Sequence, residues 1–268
     1  MIETPEAPRT DPVKGLLSEP RRRRILDWIQ EEGSARVREL AAAFQVSEAT
    51  IRQDLERLEQ EGQITREHGG AFLNSSPAQS GNMVLHHQEN MEQKRRIGAV
   101  AAGLVTDGDT IILDAGTTTT EIALRLLHRR NLTIITNAVN IAVILGGVPG
   151  NAVHMPGGQF KAPTLSLSGD KSVEYFRNIF AGKLFLATAG VAVDTGLTYP
   201  SFADLPLKEA MIKAATHVCL VADSSKINRS SFTRLGSLDL IHSFVTDDGI
   251  TPEDVAAFRA RGIKVMLG

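Results

Sequence analysis

The stretch RELAAAFQVSEATIRQDL (residues 38–55) decides how the first part of the chain folds. Val37, Leu40, Ala41 and Phe44 recur at i, i+3, i+4 and i+7, the spacing of one face of a short helix. Gln45, Val46 and Ser47 then make a tight turn. Ser47 is a good N-cap, because its hydroxyl can accept from an amide left free in the next helical turn. Ile51, Leu55 and Leu58 place one apolar stripe on a further helix, and Gly62 ends it. Upstream, Ile25, Leu26, Trp28 and Ile29 give a first helix that stops at Glu32-Gly33. Downstream, QITREHGGAF (residues 63–72) holds two short extended pieces around a Gly-Gly turn, which reads as a hairpin. Three short helices, a tight turn before the third and a hairpin describe a winged helix-turn-helix.

Packing one face of the third helix frees Glu48, Thr50, Arg52, Gln53, Glu56 and Arg57 for solvent or for a DNA groove. A recognition helix reads bases mainly through its N-terminal residues. Arg52 can bond guanine edges bidentately and Gln53 can do the same with adenine. Ser47 and Thr50 suit phosphates or bases, and Arg57 adds local positive charge. Arg66 and His68 sit on the wing, within reach of backbone or minor groove. The plainer alternative is that these are solvated faces of a small helical domain. The order of the elements weighs against it.

Composition sets outer bounds. A length of 268 residues fits one large domain, or a small one plus a larger one. An apolar share of 42% with 22% charged residues excludes a mainly disordered, collagen-like or membrane-embedded chain. The net charge of −2 lacks the basic excess usual in nucleic-acid binders. Residues 1–75 are themselves acidic, with 11 Lys or Arg against 14 Asp or Glu. Any DNA affinity must therefore come from local placement, such as Arg21–Arg24, Arg52, Arg57 and Arg66. Glutamates on the far side of the third helix would limit non-specific binding.

The single Cys219 excludes an internal disulfide and fits a reduced, cytoplasmic compartment. No Cys/His spacing suits a metal, and no cofactor is expected. Residues 1–20 lack the apolar run of a signal peptide. Residues 131–160 carry no Lys, Arg, Asp or Glu, yet Asn, Gly and Pro interrupt them repeatedly. They read as buried α/β core rather than as a membrane span. The expected organisation is a flexible tail (1–19), the winged helix (20–72), a linker (73–91) and a larger domain (92–268). That larger domain is expected to be α/β, a mostly parallel sheet flanked by helices.

In the larger domain, apolar strands repeatedly end on polar or glycine residues, and ligands bind at the carboxyl ends of strands in open α/β sheets. Strand 110–113 runs into Asp114, Ala115, Gly116 and Thr117–Thr120, ahead of a helix read from Ile122. A glycine-containing, hydroxyl-rich loop before a helix start is an anion site in principle, because the helical amides and dipole favour negative charge there. A capped helix without a ligand is the alternative. Strand 132–136 ends at Asn137, strand 153–155 runs to Gly157 and Gly158, and strand 218–222 ends at Asp223, two serines and Lys226. Lys226 can reach a phosphate as a point charge. Asp114 and Asp223 could bond sugar hydroxyls or cap their loops. Asp194 and Lys208 are weaker candidates.

Residues 38–55, followed by Arg66-Glu-His-Gly-Gly-Ala71, resemble the DNA-binding domain of DeoR-family bacterial transcriptional regulators. Gln53 departs from the pattern, since many members carry an Arg there. Asp114–Thr119, Thr136-Asn137, Gly157-Gly158 and Asp223–Lys226 resemble the family's effector domain. The resemblance implies a fold similar to ribose-5-phosphate isomerase and a regulator of carbohydrate metabolism. It would be a repressor released from double-stranded operator DNA by a phosphorylated sugar. Asp114, Gly116, Thr117, Thr118, Thr119, Asn137, Gly157, Gly158, Asp223 and Lys226 would line the effector site. A symmetric homo-oligomer, dimer or tetramer, would suit paired half-sites. An isomerase-like enzyme fused to a DNA-binding domain is the other reading. The isomerases, however, carry an acidic Asp-Gly-Ala-Asp-Glu stretch, and the corresponding residues 189–193 (AGVAV) contain no acid to serve as a base. No catalytic residue is therefore expected.

Overall fold

Apolar residues three and four apart draw three helices together in the first of two units, Met1–Asn74 and Ser75–Gly268. The computed structural model describes residues 18–32, 34–67, 69–73, 90–161, 164–199, 202–231 and 233–268. The tail and linker expected at 1–19 and 73–91 lie mostly outside these residues, as do His68 and the pair His86-His87. The first unit comprises α1 (Ser18–Glu32), β1 (Ser34–Arg36), α2 (Val37–Phe44), α3 (Glu48–Gln60), β2 (Ile64–Glu67) and β3 (Gly70–Leu73). Helix α1 thus opens two residues before the expected start of the winged helix.

Ile25, Ile29, Leu40, Ile51, Leu55 and Ile64 are completely buried together. Fully burying each such side chain contributes roughly 1.5–3 kcal/mol relative to exposure. Between α2 and α3, Gln45 takes the left-handed conformation (φ 53°), and Ser47 accepts a 3.1 Å bond from the Thr50 amide. The wing forms as read, with β2 antiparallel to β3. Strand β1 was not legible in the sequence. It pairs with β3 and makes the wing a three-stranded sheet. Three residues are too few to show an alternation.

The described part of the second unit begins with α4 (Met91–Ala102), then β4 (Thr110–Leu113), α5 (Thr117–Arg125), β5 (Thr133–Thr136), α6 (Val139–Gly146) and β6 (Ala152–His154). A ribbon of β7 (Gln159–Lys161) and β8 (Ser166–Ser168) leads to α7 (Asp170–Arg177) and β9 (Ala181–Leu186). Then come β10 (Gly190–Ala192), β11 (Gly196–Tyr199), α8 (Leu205–Lys213), β12 (Ala215–Val221), β13 (Thr233–Gly236), β14 (Ser243–Thr246), α9 (Pro252–Ala260) and β15 (Lys264–Leu267).

Seven strands form one sheet in the order β15-β14-β12-β9-β4-β5-β6, and every pairing is parallel. Side chains alternate between two cores, as the two-residue strand period requires. Ile112, Leu184, Leu186, Val218, Leu220 and Phe244 enter one core with Phe176, Met211 and Phe258. Ile111, Leu113, Phe185, Cys219, Val221 and Val245 enter the other with Ile97, Ile122 and Leu145. This double burial explains why the strands read as continuous apolar runs. It also pushes the Cys219 thiol up to about 11, leaving it a packing residue. Among the described residues no helix is long and apolar enough to cross a membrane.

From β4 the chain builds outward through β5 and β6, then returns to the other side of β4 with β9 and continues to β12, β14 and β15. The strand order reverses between β4 and β9. A crevice at the carboxyl ends of strands on either side of such a reversal is where open α/β sheets bind ligands.

Candidate DNA-binding and effector sites

On α3, Arg52, Gln53 and Arg57 are exposed, while Ser47 and Thr50 mark its N-terminus, their hydroxyls 2.9 Å apart. Arg66 lies on β2 and is half-buried. The glutamates are not on the far side. Arg52 bonds Glu48 at 2.6 Å, Arg38 approaches Glu48 at 3.5 Å, Arg57 bonds Glu61 at 2.9 Å, and Arg66 lies 3.8 Å from Glu59. Helical geometry causes two of these pairs, because residues four apart share a face. The basic cluster at 21–24 is also divided. Arg21 bonds Asp54 through two nitrogens at 2.5 and 3.2 Å, and Arg22 lies 4.0 Å from the same carboxylate. Asp54 is buried, so this pair fastens α1 to α3 and leaves Arg23 and Arg24 as the exposed members.

In the second unit, the reversal point is bridged by Asp114. The carboxylate follows β4, accepts the Ala115 amide at 2.8 Å, and reaches across to accept the Ala187 amide beyond β9 at 3.1 Å. Lys208 Nζ donates to the same carboxylate from α8 and sits 5.4 Å from the centre of the Tyr199 ring. Asp114 is fully buried and Lys208 nearly so. Burial pushes the Asp114 carboxyl above the ordinary range, against the pull of Lys208 and the two amides. Burial, with the Asp114 charge next, also raises the Tyr199 phenol, whose hydroxyl donates to the Ala187 carbonyl at 2.6 Å. Asp114 therefore holds the crevice together, with Oδ1 taken by the Ala115 amide and Lys208 and Oδ2 by the Ala187 amide. Lys208, a weak candidate in the sequence, is central here.

Helix α5 begins at Thr117, not at Ile122, so the threonines form its first turn. Thr119 and Thr120 donate their hydroxyls to the Gly116 carbonyl at 2.9 and 2.7 Å. Threonine in a first turn readily bonds back to the carbonyl three or four residues earlier. Thr119 is also fully buried, which removes it as a hydroxyl donor to a ligand. Thr118 is buried and Thr117 half-buried. Gly116 caps the helix without a side chain, leaving the first-turn amides without a side-chain acceptor there. A Cβ on Gly116 would lie 2.9 Å from Ala187 Cβ, so glycine permits the close approach of the two loops.

Asn137 joins this edge, its side-chain oxygen accepting the Ala115 amide at 3.1 Å and its amide donating to the Leu167 carbonyl at 3.2 Å. The ribbon so anchored packs on Gly158, whose φ of 139° and contact with Ser168 O leave no room for a Cβ. Gly157 is exposed, with open space beside it. Asp223 caps the turn 224–226, accepting the Ser225 amide at 3.2 Å and the Ser225 hydroxyl. It caps its loop through Oδ1, and Oδ2 has no partner among the described residues. Lys226 is half-buried, and its ammonium has no partner among the described residues. Asp194 and Glu209 are exposed. No group of three metal-ligating side chains occurs among the described residues. A cavity of about 250 Å³ between α7 and α8, lined by Phe176, Phe180, Ala210 and Lys213, contains none of the expected effector residues.

A reversed parallel sheet with a crevice, preceded by a winged helix, defines a two-part regulator: a DNA reader joined to a sensor. Residues 21–77 match the model of the DeoR-like helix-turn-helix domain, and residues 89–248 match that of the DeoR C terminal sensor domain. The chain belongs to the DeoR family of transcriptional regulators. It is 33% identical to the transcriptional repressor AccR of Agrobacterium fabrum, over 87% of this chain and 90% of that one. It is 30% identical to the glycerol-3-phosphate regulon repressor of Escherichia coli, over 83% and 88%. Ribose 5-phosphate isomerase A of Methanocaldococcus jannaschii superposes with a TM-score of 0.39 at 15% identity, over 52% of this chain and 55% of that one. The family membership makes this a DNA-binding transcriptional regulator of the DeoR type and not an isomerase.

Proposed function

We propose that the protein represses a carbohydrate-metabolism operon and releases its operator when a phosphorylated sugar binds at the carboxyl edge of the sheet. The observation that carries this reading is the meeting, across the β4–β9 reversal, of the uncapped first turn of α5 with the loop from β9. Lys226, on the loop after the next strand β12, supplies an ammonium with no partner among the described residues. Helix amides and a lysine are the donors that a phosphate needs. The amides of Thr117 and Thr118, with Gly116, would meet the anion. Asp114, Asn137 and Gly158 would hold the loops in place, and Gly157 leaves space at the rim. Asp223 would shape the turn that presents Lys226.

On DNA, Ser47, Thr50, Arg52, Gln53, Arg57 and Arg66 would make the contacts of one winged helix, with His68 added from the wing. Two or four copies would assemble so that each half-site meets one reader. The protein would act in the cytoplasm, where chromosome and sugar phosphates meet. Release follows from linkage: a ligand that favours the conformation with weaker operator affinity lowers that affinity, and DNA lowers the ligand's affinity by the same factor.

A thermal-shift series with glucose 6-phosphate, fructose 6-phosphate, ribose 5-phosphate, glycerol 3-phosphate and the unphosphorylated parents tests this. One phosphorylated compound should stabilise the protein, by roughly 2.7 kcal/mol at 100 times its dissociation constant. The same compound should release operator DNA, and Lys226→Ala should lose both responses. An unphosphorylated parent acting equally well would overturn the phosphate assignment.

A further inference from the structure

We propose that Asn90 is the coupling residue of the sensor, reporting the state of the turn at 224–226 to helix α4; this rests on the reading of that turn as the phosphate site. Asn90 stands at the N-cap of α4 in the left-handed conformation (φ 51°), which Asn tolerates better than most residues. Its carbonyl accepts the Lys94 amide at 3.0 Å and so starts the helix. Its side-chain amide reaches 133 residues along the chain, donating to Asp223 Oδ1 at 3.1 Å and to Ser225 Oγ at 3.3 Å. A second clamp runs in parallel. Asp247 accepts the Ser224 amide and hydroxyl at 2.6 and 2.8 Å, while its neighbour Asp248 holds Arg96 of α4 at 2.7 and 3.1 Å.

Both serine hydroxyls of the turn are thus given to carboxylates, and Lys226 remains the unpaired donor among the described residues. A phosphate on Lys226 gains a second donor when Ser225 Oγ rotates away from Asp223. That rotation moves the oxygen Asn90 also bonds. One of the two contacts holding the N-cap of α4 is lost as the anion is gripped, and the cap loosens. Helix α4 is the first element of the sensor among the described residues, so the change enters the covalent path to the DNA reader.

Hydrogen–deuterium exchange on the full chain tests this, with inorganic phosphate as probe and sodium chloride at equal ionic strength as control. In the wild type, phosphate should slow exchange at Ser225 and Lys226 and speed it several-fold at Lys94. Asn90→Gly keeps the left-handed backbone but removes the amide. It should exchange fast at Lys94 without phosphate and gain nothing there on its addition, while the turn is still protected. Asn90→Asp, which sets a like charge against Asp223, should behave the same way. Protection of the turn with no change at Lys94 in the wild type overturns the coupling role and leaves the phosphate site standing. So does an Asn90→Gly protein that responds as the wild type does. No phosphate effect at the turn removes the site, and the coupling role with it.

Discussion

At the scale of the residue, Asp114 and Lys208 do most to define the crevice. A buried carboxylate without a partner is costly, and removing one member of a buried pair typically costs about 3–5 kcal/mol. Lys208→Met keeps the stem's packing and strands Asp114. Burial already raises that carboxyl, and losing the ammonium raises it further. A carboxyl raised on folding contributes stability that is complete below its unfolded pKa and is lost as pH rises through its folded pKa. Lys208→Met should therefore be about 3 kcal/mol less stable at neutral pH and recover part of that loss on acidification. Denaturant melts at several pH values measure it, and a deficit independent of pH would contradict the ionised pair. The sequence placed Asp114 at a strand end but left Lys208 in the background. Its partner lies 94 residues away, beyond any spacing rule. The available signal was local: Lys208 lies beside Leu207 on the buried face that also carries Met211, where a lysine requires a partner.

At the scale of the element, α3 presents its arginines already engaged. Glu48 holds Arg52 and approaches Arg38, and both pairs are largely exposed. Exposed pairs contribute about 0–1 kcal/mol each, so they scarcely stabilise the helix. They do compete with phosphates for the same guanidinium. Glu48→Gln should tighten binding to random-sequence DNA by about 2–5-fold and change stability by less than about 0.5 kcal/mol. Fluorescence anisotropy at fixed salt measures it, and unchanged or weaker binding would refute the competition. The helices of the first unit were legible because their apolar spacing and caps are local signals, as Ser47 shows. The start of α5 was not, since four threonines suit a loop as well as a helical turn, and it is the Thr120 amide, with the Thr119 and Thr120 hydroxyls, on the Gly116 carbonyl that makes it a turn. Strand β14 was passed over as well, because SFVT offers four residues with no alternation and its neighbours are distant in sequence.

At the scale of the whole molecule, charge sets how the protein must reach its operator. The first 75 residues are acidic, and Arg52, Arg57 and Arg66 are paired with glutamates and Arg21 with buried Asp54, which leaves Arg23 and Arg24 as the exposed cluster. A single winged helix so arranged releases few counterions and binds a lone half-site weakly. Tight binding then requires two readers on one DNA, where the second contact is made at high effective concentration and avidity exceeds a single contact by about 10²–10⁴. The half-sites should lie one helical turn apart, about 34–36 Å, or a multiple of it. The protein should therefore bind an intact operator at least about 100-fold more tightly than an isolated half-site. Inserting half a turn of DNA between the half-sites should abolish most of that advantage. Titrations of the three DNAs at one salt concentration, with the mass of each complex from light scattering, measure both effects. Equal affinity for the half-site and the intact operator would show a reader that works alone, and would overturn the symmetric assembly.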